Sequence, residues 1–284
     1  MKSLANLYMI QNRPKYPIYI ISKGRYDSNL TAIALREIGL NFFLVVEPLE
    51  YNLYANNFKG GNILKTPFNN LGLGSVPVRN FVFDHSVLNN HKKHWILDDN
   101  ISGFLRLNRN QKVKVKTDGT FRAIEDFCDR YENIAISGMN YRFFAPEYWT
   151  KKPYILNTRV YSCMLINNKI EERWRGKYNE DSDLCIRVLK NGWCTILFNA
   201  FLCNKIASMT MKGGNTEMYR STNNRLEFAE SLRAQHPDIV KVVYRYNRWH
   251  HKVDYSQFSQ ELSYIKGYKR VKGVNNFGMK KIRV

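Results

Sequence analysis

Residues 17–46, PIYIISKGRYDSNLTAIALREIGLNFFLVV, decide the fold. Residues 17–22 are short, apolar and rich in isoleucine, and they end in polar residues, as a buried strand does. Ser22-Lys23-Gly24-Arg25 follows as a basic turn. Leu30, Ile33, Ala34 and Ile38 then recur at helical spacing, and Gly39 stands where helices commonly close on a left-handed glycine. Residues 41–46 are a second apolar strand stopped by Glu47-Pro48, and residues 62–65 a third. Strand, helix, strand in this order predicts right-handed βαβ units and a parallel sheet.

The same reading continues downstream. A glycine-rich turn at residues 71–75 enters a helix over 76–88, and residues 94–98 are a strand that runs straight into acidic residues. Helical spacing marks 121–131, 180–190 and 216–235, the last halted by His236-Pro237. Residues 134–136, 160–166 and 194–198 have the character of strands. The predicted class is α/β, a Rossmann-like mixed and mainly parallel sheet flanked by helices. Composition shifts near residue 237: from His236 to Val284 there are eleven Lys and Arg against three Asp and Glu, interleaved with aromatics such as Tyr246, Trp249 and Tyr264. The chain therefore divides into a main domain, 1–236, and a basic, aromatic-rich extension, 237–284.

A chain of 284 residues with 44% hydrophobic and 24% charged residues can bury a sizeable core. Its 44 Lys and Arg against 24 Asp and Glu leave a formal charge of +20. Such an excess attracts polyanions, with nucleic acid ahead of anionic lipid or of a merely basic proteome. The five cysteines form no C-x-x-C pair, which argues against a zinc site or a secreted disulfide framework and for buried thiols in a reducing cytoplasm. No apolar run approaches the roughly 18 residues that a membrane span requires, and no signal peptide is visible.

Two acidic segments carry the chemistry. Trp95-Ile-Leu-Asp-Asp-Asn100 ends an apolar strand in hard oxygen ligands. Open α/β sheets bind ligands at the carboxyl ends of their strands, and Mg²⁺ or Mn²⁺ favours such oxygens while bridging phosphates. An Asp-Asn turn that merely ends a strand has the same composition. The second segment, Asn179-Glu-Asp-Ser-Asp-Leu-Cys-Ile-Arg187, gathers three carboxylates in the first turn of an amphipathic helix. There they complement the helix dipole with Asn179 as a cap, but a carboxylate so held also suits general-base work. Arg187 stands four residues after Asp183, the spacing of an ion pair on one helix face.

Taken in order, Ile20-Ile-Ser-Lys-Gly-Arg25, Arg79-Asn80, Leu97-Asp-Asp-Asn100 and Glu180-Asp-x-Asp-Leu-x-x-Arg187 resemble a GT-A glycosyltransferase. In detail the chain is similar to the TET-associated glycosyltransferases of bacteriophages, from about Tyr16 to Tyr219, with Gly213-Gly214-Asn215 near the end. The resemblance implies transfer of a sugar from a nucleotide-sugar donor, of UDP type, to a hydroxymethylated pyrimidine in DNA, in the cytoplasm of an infected bacterial host. It places a divalent metal (Mn²⁺ or Mg²⁺) on Asp98, Asp99 and Asn100. Donor contacts fall to Ser22, Lys23, Gly24, Arg25, Arg79, Asn80, Asp98 and Asp99. Asp181, with Glu180 and Asp183, supplies the catalytic carboxylates, Asp181 matching the base of inverting relatives.

This sequence departs from the GT-A pattern in two places. Asn100 stands where the metal motif usually has a second Asp, and an amide ligates without bringing charge. Many GT-A enzymes also supply a third ligand, commonly histidine, after the second acidic helix, yet none of the six histidines lies between Cys194 and Tyr219. Either His250 or His251 folds back from the extension, or Asn204 or Lys212 serves, or metal binding is weak. Two other classes share these features: a metal-dependent nucleotidyl or phosphoryl transferase, and a basic nucleic-acid-binding module with incidental acidic turns.

Overall fold

The computed structural model describes residues 13–58, 61–108, 111–145, 152–206, 210–214 and 224–269. The opening stretch forms the unit its pattern dictates. Strand β1 (Ile18–Ile21), helix α1 (Leu30–Glu37), β2 (Phe43–Val46), α2 (Tyr51–Asn57) and β3 (Asn62–Lys65) follow one another, with β1, β2 and β3 paired in parallel. β1 is buried on both faces: Ile18 and Ile20 enter one core, Tyr19 and Ile21 the other. That double burial explains a continuous apolar run where an exposed sheet would show alternation.

Helix α3 (Val76–Leu88) leads to β4 (Lys93–Asp98), which pairs in parallel with the other side of β1. β5 (Ile101–Asn108) and β6 (Gln111–Lys114) form a hairpin, followed by α4 (Gly119–Cys128) and β7 (Ile134–Tyr141). β8 (Tyr154–Leu156), β9 (Cys163–Asn167), α5 (Glu180–Lys190) and β10 (Cys194–Lys205) complete one sheet. Its order is β3-β2-β1-β4-β9-β7-β10-β5-β6, with β8 on the first half of β10. β5, β8 and β9 run against the other seven strands. Helices α1, α2 and α4 cover one face and α3 and α5 the other, so the molecule is an α/β fold with a mixed, mainly parallel sheet.

Several boundaries differ from the sequence reading for local reasons. β9 begins at Cys163 rather than at Val160, because Ser162 takes a left-handed backbone (φ 64°). β10 runs past Phe198 to Lys205: a register break between Phe198 and Leu202 interrupts the apolar period, while the amides of Asn199 and Ala200 donate to Pro153 O. The final long helix is described as α6 (Asn224–Gln235), and the first residues assigned to it, 216–223, lie outside the described residues.

After α6 the chain turns into an antiparallel hairpin, β11 (Val240–Arg245) and β12 (Arg248–Val253). Its two-residue turn, Tyr246-Asn247, has both residues at positive φ, the geometry of a tight primed turn. Ile239 and Val240 pack with Leu232 of α6 and Ile186 of α5, and Val253, Tyr255 and Phe258 join them. Further on, Tyr264 stacks on Tyr131 with centroids 4.6 Å apart. Among the described residues no helix is long and apolar enough to cross a membrane. All five cysteines are unbonded and buried.

Candidate active site

The parallel pairing of β1 with β4 brings Ile21 opposite Asp98, so the basic turn and the acidic strand end emerge side by side. The start of α1 grips that acidic turn. Asn29 caps the helix by accepting from Ala32 N (2.9 Å), Thr31 Oγ1 donates to Asp98 O (2.6 Å), and Ile101 N donates back to Thr31 Oγ1 (2.9 Å). Asp99 turns toward the basic loop, where it accepts from Ser22 Oγ (2.7 Å) and pairs with the buried Arg25 guanidinium. Arg25 in turn donates to Lys212 O and Gly213 O, and Gly214 N donates to Lys23 O (2.7 Å). The loop around Gly213 thus lies directly on Gly24. A Cβ at Gly213 would stand 2.5 Å from Gly24 O, and its φ of +75° also requires glycine.

Arg79, on the first turns of α3, joins the two acidic segments. Its Nη2 donates to Asp98 Oδ1 (2.9 Å) and to Asp181 Oδ2 (3.5 Å), and its Nε lies 3.8 Å from Glu180 Oε1. The side chain is 3% exposed, and Nη1 has no hydrogen-bond partner among the described residues. Burial opposes the arginine charge, but Asp181, Asp98 and Glu180 together hold it firmly protonated. Ser75 completes the corner by donating to Glu180 Oε1 (2.7 Å).

Asp98 and Asp181 share that guanidinium and differ in everything else. Burial alone would raise the Asp98 pKa, but the nearby Lys205 and Arg79 overrule it and hold the carboxyl well below its ordinary range. Burial pushes Asp181 up to about 7; Glu180 and Asp98 add to the rise, while Arg79 and the Trp174 Nε1 donor (2.9 Å) oppose it. A carboxylate poised near neutrality in a cleft has the proton affinity a general base needs. The cleft, of about 1070 Å³, is lined by Ser22, Lys23, Arg25, Asp98, Asp181 and Lys205 among others.

Four assigned residues play other parts. Asp183, read as catalytic, is fully buried on the far side of α5, paired with Arg175 (3.1 Å), Arg187 (2.8 Å) and His236 (2.8 Å). Burial would raise its pKa, but those three partners hold it at about 2. The ion pair with Arg187 is the one its i,i+4 spacing predicts. Asn80, read as a donor contact, instead fixes the backbone of Trp174: Nδ2 donates to Trp174 O and Oδ1 accepts from Trp174 N, both at 2.9 Å. Asn179 stands at the N-cap of α5 in a left-handed conformation, yet its side chain donates to Phe228 O (2.6 Å) and caps nothing. Gly24 shapes the turn without lining the cleft.

The oxygens assigned to a metal are already engaged by the chain itself. Asp98 Oδ2 accepts from Ser162 Oγ (2.7 Å) and Lys205 Nζ (2.9 Å), and Asn100 Oδ1 accepts from Lys205 Nζ (2.8 Å). Arg79 takes Asp98 Oδ1, and Arg25 and Ser22 take Asp99. His250 and His251 do fold back to the same cleft, whereas Asn204 turns away to Ser102 Oγ (2.7 Å). Among the described residues no group of three or more His, Cys, Asp or Glu could hold a metal ion. A divalent cation does not fit this arrangement without displacing an ammonium.

Lys205, Ser162 and Trp174 are the site residues that the sequence reading missed. Lys205 lies in the same interval as Asn204 and Lys212, and nothing in the sequence shows that β10 carries it back to Asp98. Ser162 and Trp174 reach Asp98 and Asp181 only through the fold.

The family model of TET-associated glycosyltransferases matches residues 16–214 of this chain. No curated protein matches it. Among solved structures, a mannose-1-phosphate geranyltransferase from Thermus thermophilus is similar at 11% identity and a TM-score of 0.32, over 66% of this chain and 58% of that one. The chain thus spans little more than half of that relative's length. The family match takes in the basic turn, Arg79, both acidic segments and the Gly213 loop, and on that evidence the chain belongs to the TET-associated glycosyltransferase family.

Proposed function

We propose that this glycosyltransferase moves a hexose or N-acetylhexosamine from a UDP-type nucleotide sugar to the hydroxymethyl group of a 5-hydroxymethylpyrimidine in DNA. The observation that carries the reading is the pairing of charges across one cleft. Asp181, poised near neutrality, faces an edge of the sheet furnished with Lys23, Arg25, Arg79 and Lys205. The cationic edge suits the pyrophosphate of the donor, and the Lys23 side chain, 42% exposed despite its pairing with Glu47, is open to it.

Transfer is a single displacement. The acceptor oxygen attacks the anomeric carbon and its proton passes to Asp181, while the bond from that carbon to the phosphate oxygen breaks with its electrons going to the nucleoside diphosphate. Attack from the face opposite the leaving group inverts the anomeric centre. Glu180, held by Ser75, keeps negative charge beside Asp181 and so sustains its affinity for the proton.

The mouth of the cleft supports the DNA half of the reading. Part of its lining is an aromatic cluster: Tyr141 packs on Phe144 and Tyr161 at 5.7 and 5.2 Å, and Phe143 is 62% exposed. The lining also includes Arg225, Arg248 and the tip residue Tyr246 of the β11–β12 hairpin. Aromatic faces among cations suit stacking on an extruded base and contact with its phosphates. A 5-substituent lies in the major groove, so it is reached there or after flipping. The test is mass spectrometry of nucleosides from hydroxymethylcytosine DNA and hydroxymethyluracil DNA incubated with a panel of nucleotide sugars. A hexose or N-acetylhexosamine increment on one of them supports the reading, and no increment with any donor sinks it.

A further inference from the structure

The place that a GT-A fold reserves for a divalent cation is filled here by a side chain. Lys205 is the last residue of β10, where the register against β5 shifts between Cys203 and Lys205 and sets Lys205 opposite Ile101, just after the acidic turn. Its side chain is 9% exposed, and its ammonium stands 2.9 Å from Asp98 Oδ2 and 2.8 Å from Asn100 Oδ1. Three cations, Arg25, Arg79 and Lys205, serve Asp98 and Asp99, and Arg79 is shared further with Asp181 and Glu180. Each carboxylate oxygen of the acidic turn is therefore already engaged, and a dication reaches Asp98 and Asn100 together only by displacing the Lys205 ammonium. Asn100 fits the same logic: an amide oxygen accepts from an ammonium well and adds no charge that would call for a metal. Arg79 Nη1, buried and without a partner among the described residues, is a further donor.

We infer that Lys205, with Arg79, replaces the divalent metal, so that the nucleoside diphosphate leaving group is bound and stabilised without a divalent cation. The inference rests on the reading that this cleft takes a nucleotide-sugar donor. As the anomeric carbon–oxygen bond breaks, the electron pair and the growing negative charge settle on the terminal phosphate oxygen. The Lys205 ammonium meets that charge while staying anchored to Asp98 and Asn100. The acceptor proton goes to Asp181, as in the displacement above, and nothing is oxidised or reduced.

The experiment measures the affinity of the whole chain for nucleoside diphosphates, UDP first and then the other common bases, by calorimetry in a chelator and in Mn²⁺. The expected result is the same Kd in both buffers, with transfer to DNA undiminished by the chelator. Lys205→Ala should weaken binding in the chelator about tenfold to a hundredfold, the loss expected for a charge-assisted contact. Lys205→Arg, which keeps the charge, should restore part of that loss. Binding by the unaltered chain that appears only with Mn²⁺ would overturn the inference and leave the donor site standing. Binding in neither buffer, with any base, would remove the donor site and the inference with it. Equal affinity of Lys205→Ala and the unaltered chain in the chelator would also overturn it, independently of any catalytic readout.

Discussion

Asp181 and Asp183 lie two residues apart in the first turn of one helix, which points them roughly 200° apart around its axis. Asp181 faces the cleft and shares a single guanidinium, 3.5 Å away, with Asp98 and Glu180. Asp183 faces the seam between α5 and the end of α6, where Arg175, Arg187 and His236 surround it. Burial raises the proton affinity of both. Only Asp183 has cations enough to reverse the effect, so it sits at about 2 and Asp181 at about 7. The difference teaches that three carboxylates at a helix start are not one motif. The one starved of cations is fit for chemistry, and the one saturated with them holds the fold together.

The comparison breaks first at Asp181. Asp181→Asn should lower the rate of sugar transfer by about 10²–10⁴-fold, the usual contribution of a general base. Because the folded pKa of Asp181 is raised, its charging costs stability as pH rises from the unfolded value toward 7, and that cost persists above 7. The unfolding temperature of Asp181→Asn at pH 8 should therefore equal or exceed that of the unaltered chain. Asp183→Asn should do the reverse. Leaving two arginines without their buried carboxylate costs about 3–5 kcal/mol, read by denaturant unfolding, while the folded fraction keeps its rate. Asp183 has a depressed pKa, so its stabilisation is present above the unfolded value and disappears as pH falls toward 2. Acid unfolding over that window should accordingly be blunted in Asp183→Asn.

Trp174→Phe sharpens the contrast at smaller cost. It removes the Nε1 donor to Asp181 Oδ1 and should move the acidic limb of the rate profile up by about one pH unit. His236→Gln is the mildest change. It should cost ~1.5 kcal/mol of stability, since Arg175 and Arg187 remain on Asp183, and leave the rate profile in place.

The parallel half of the sheet was legible in the sequence because strands buried on both faces are written as unbroken apolar runs, as at residues 17–22 and 94–98. Helices α3 and α5 were legible to the residue, since their apolar spacing and ends are both clear. The β5–β6 and β11–β12 hairpins were not: only Ile101, Phe104 and Val240 among their residues are buried, so no apolar run marks them. Within the site, the two acidic segments and Arg79 could be found by type and order. The Asp183–Arg187 pair could be read from its spacing, but the placing of Asp183 away from the cleft and the role of Asn80 could not, because they depend on which face of a helix meets a cation or a backbone. Lys205 was hidden because its approach to Asp98 depends on the register shift near the end of β10, which no sequence pattern marks.

Transfer through Asp181 is tested most directly by the initial rate of sugar transfer to hydroxymethylated DNA, measured from pH 5 to 9 for the unaltered chain and for Asp181→Asn. The unaltered chain should gain about tenfold per pH unit until it levels near 7, as a single ionising base requires, and the variant should be slow and flat across the range. A variant that keeps the full rate, or one that keeps the same acidic limb, would contradict the role given to Asp181.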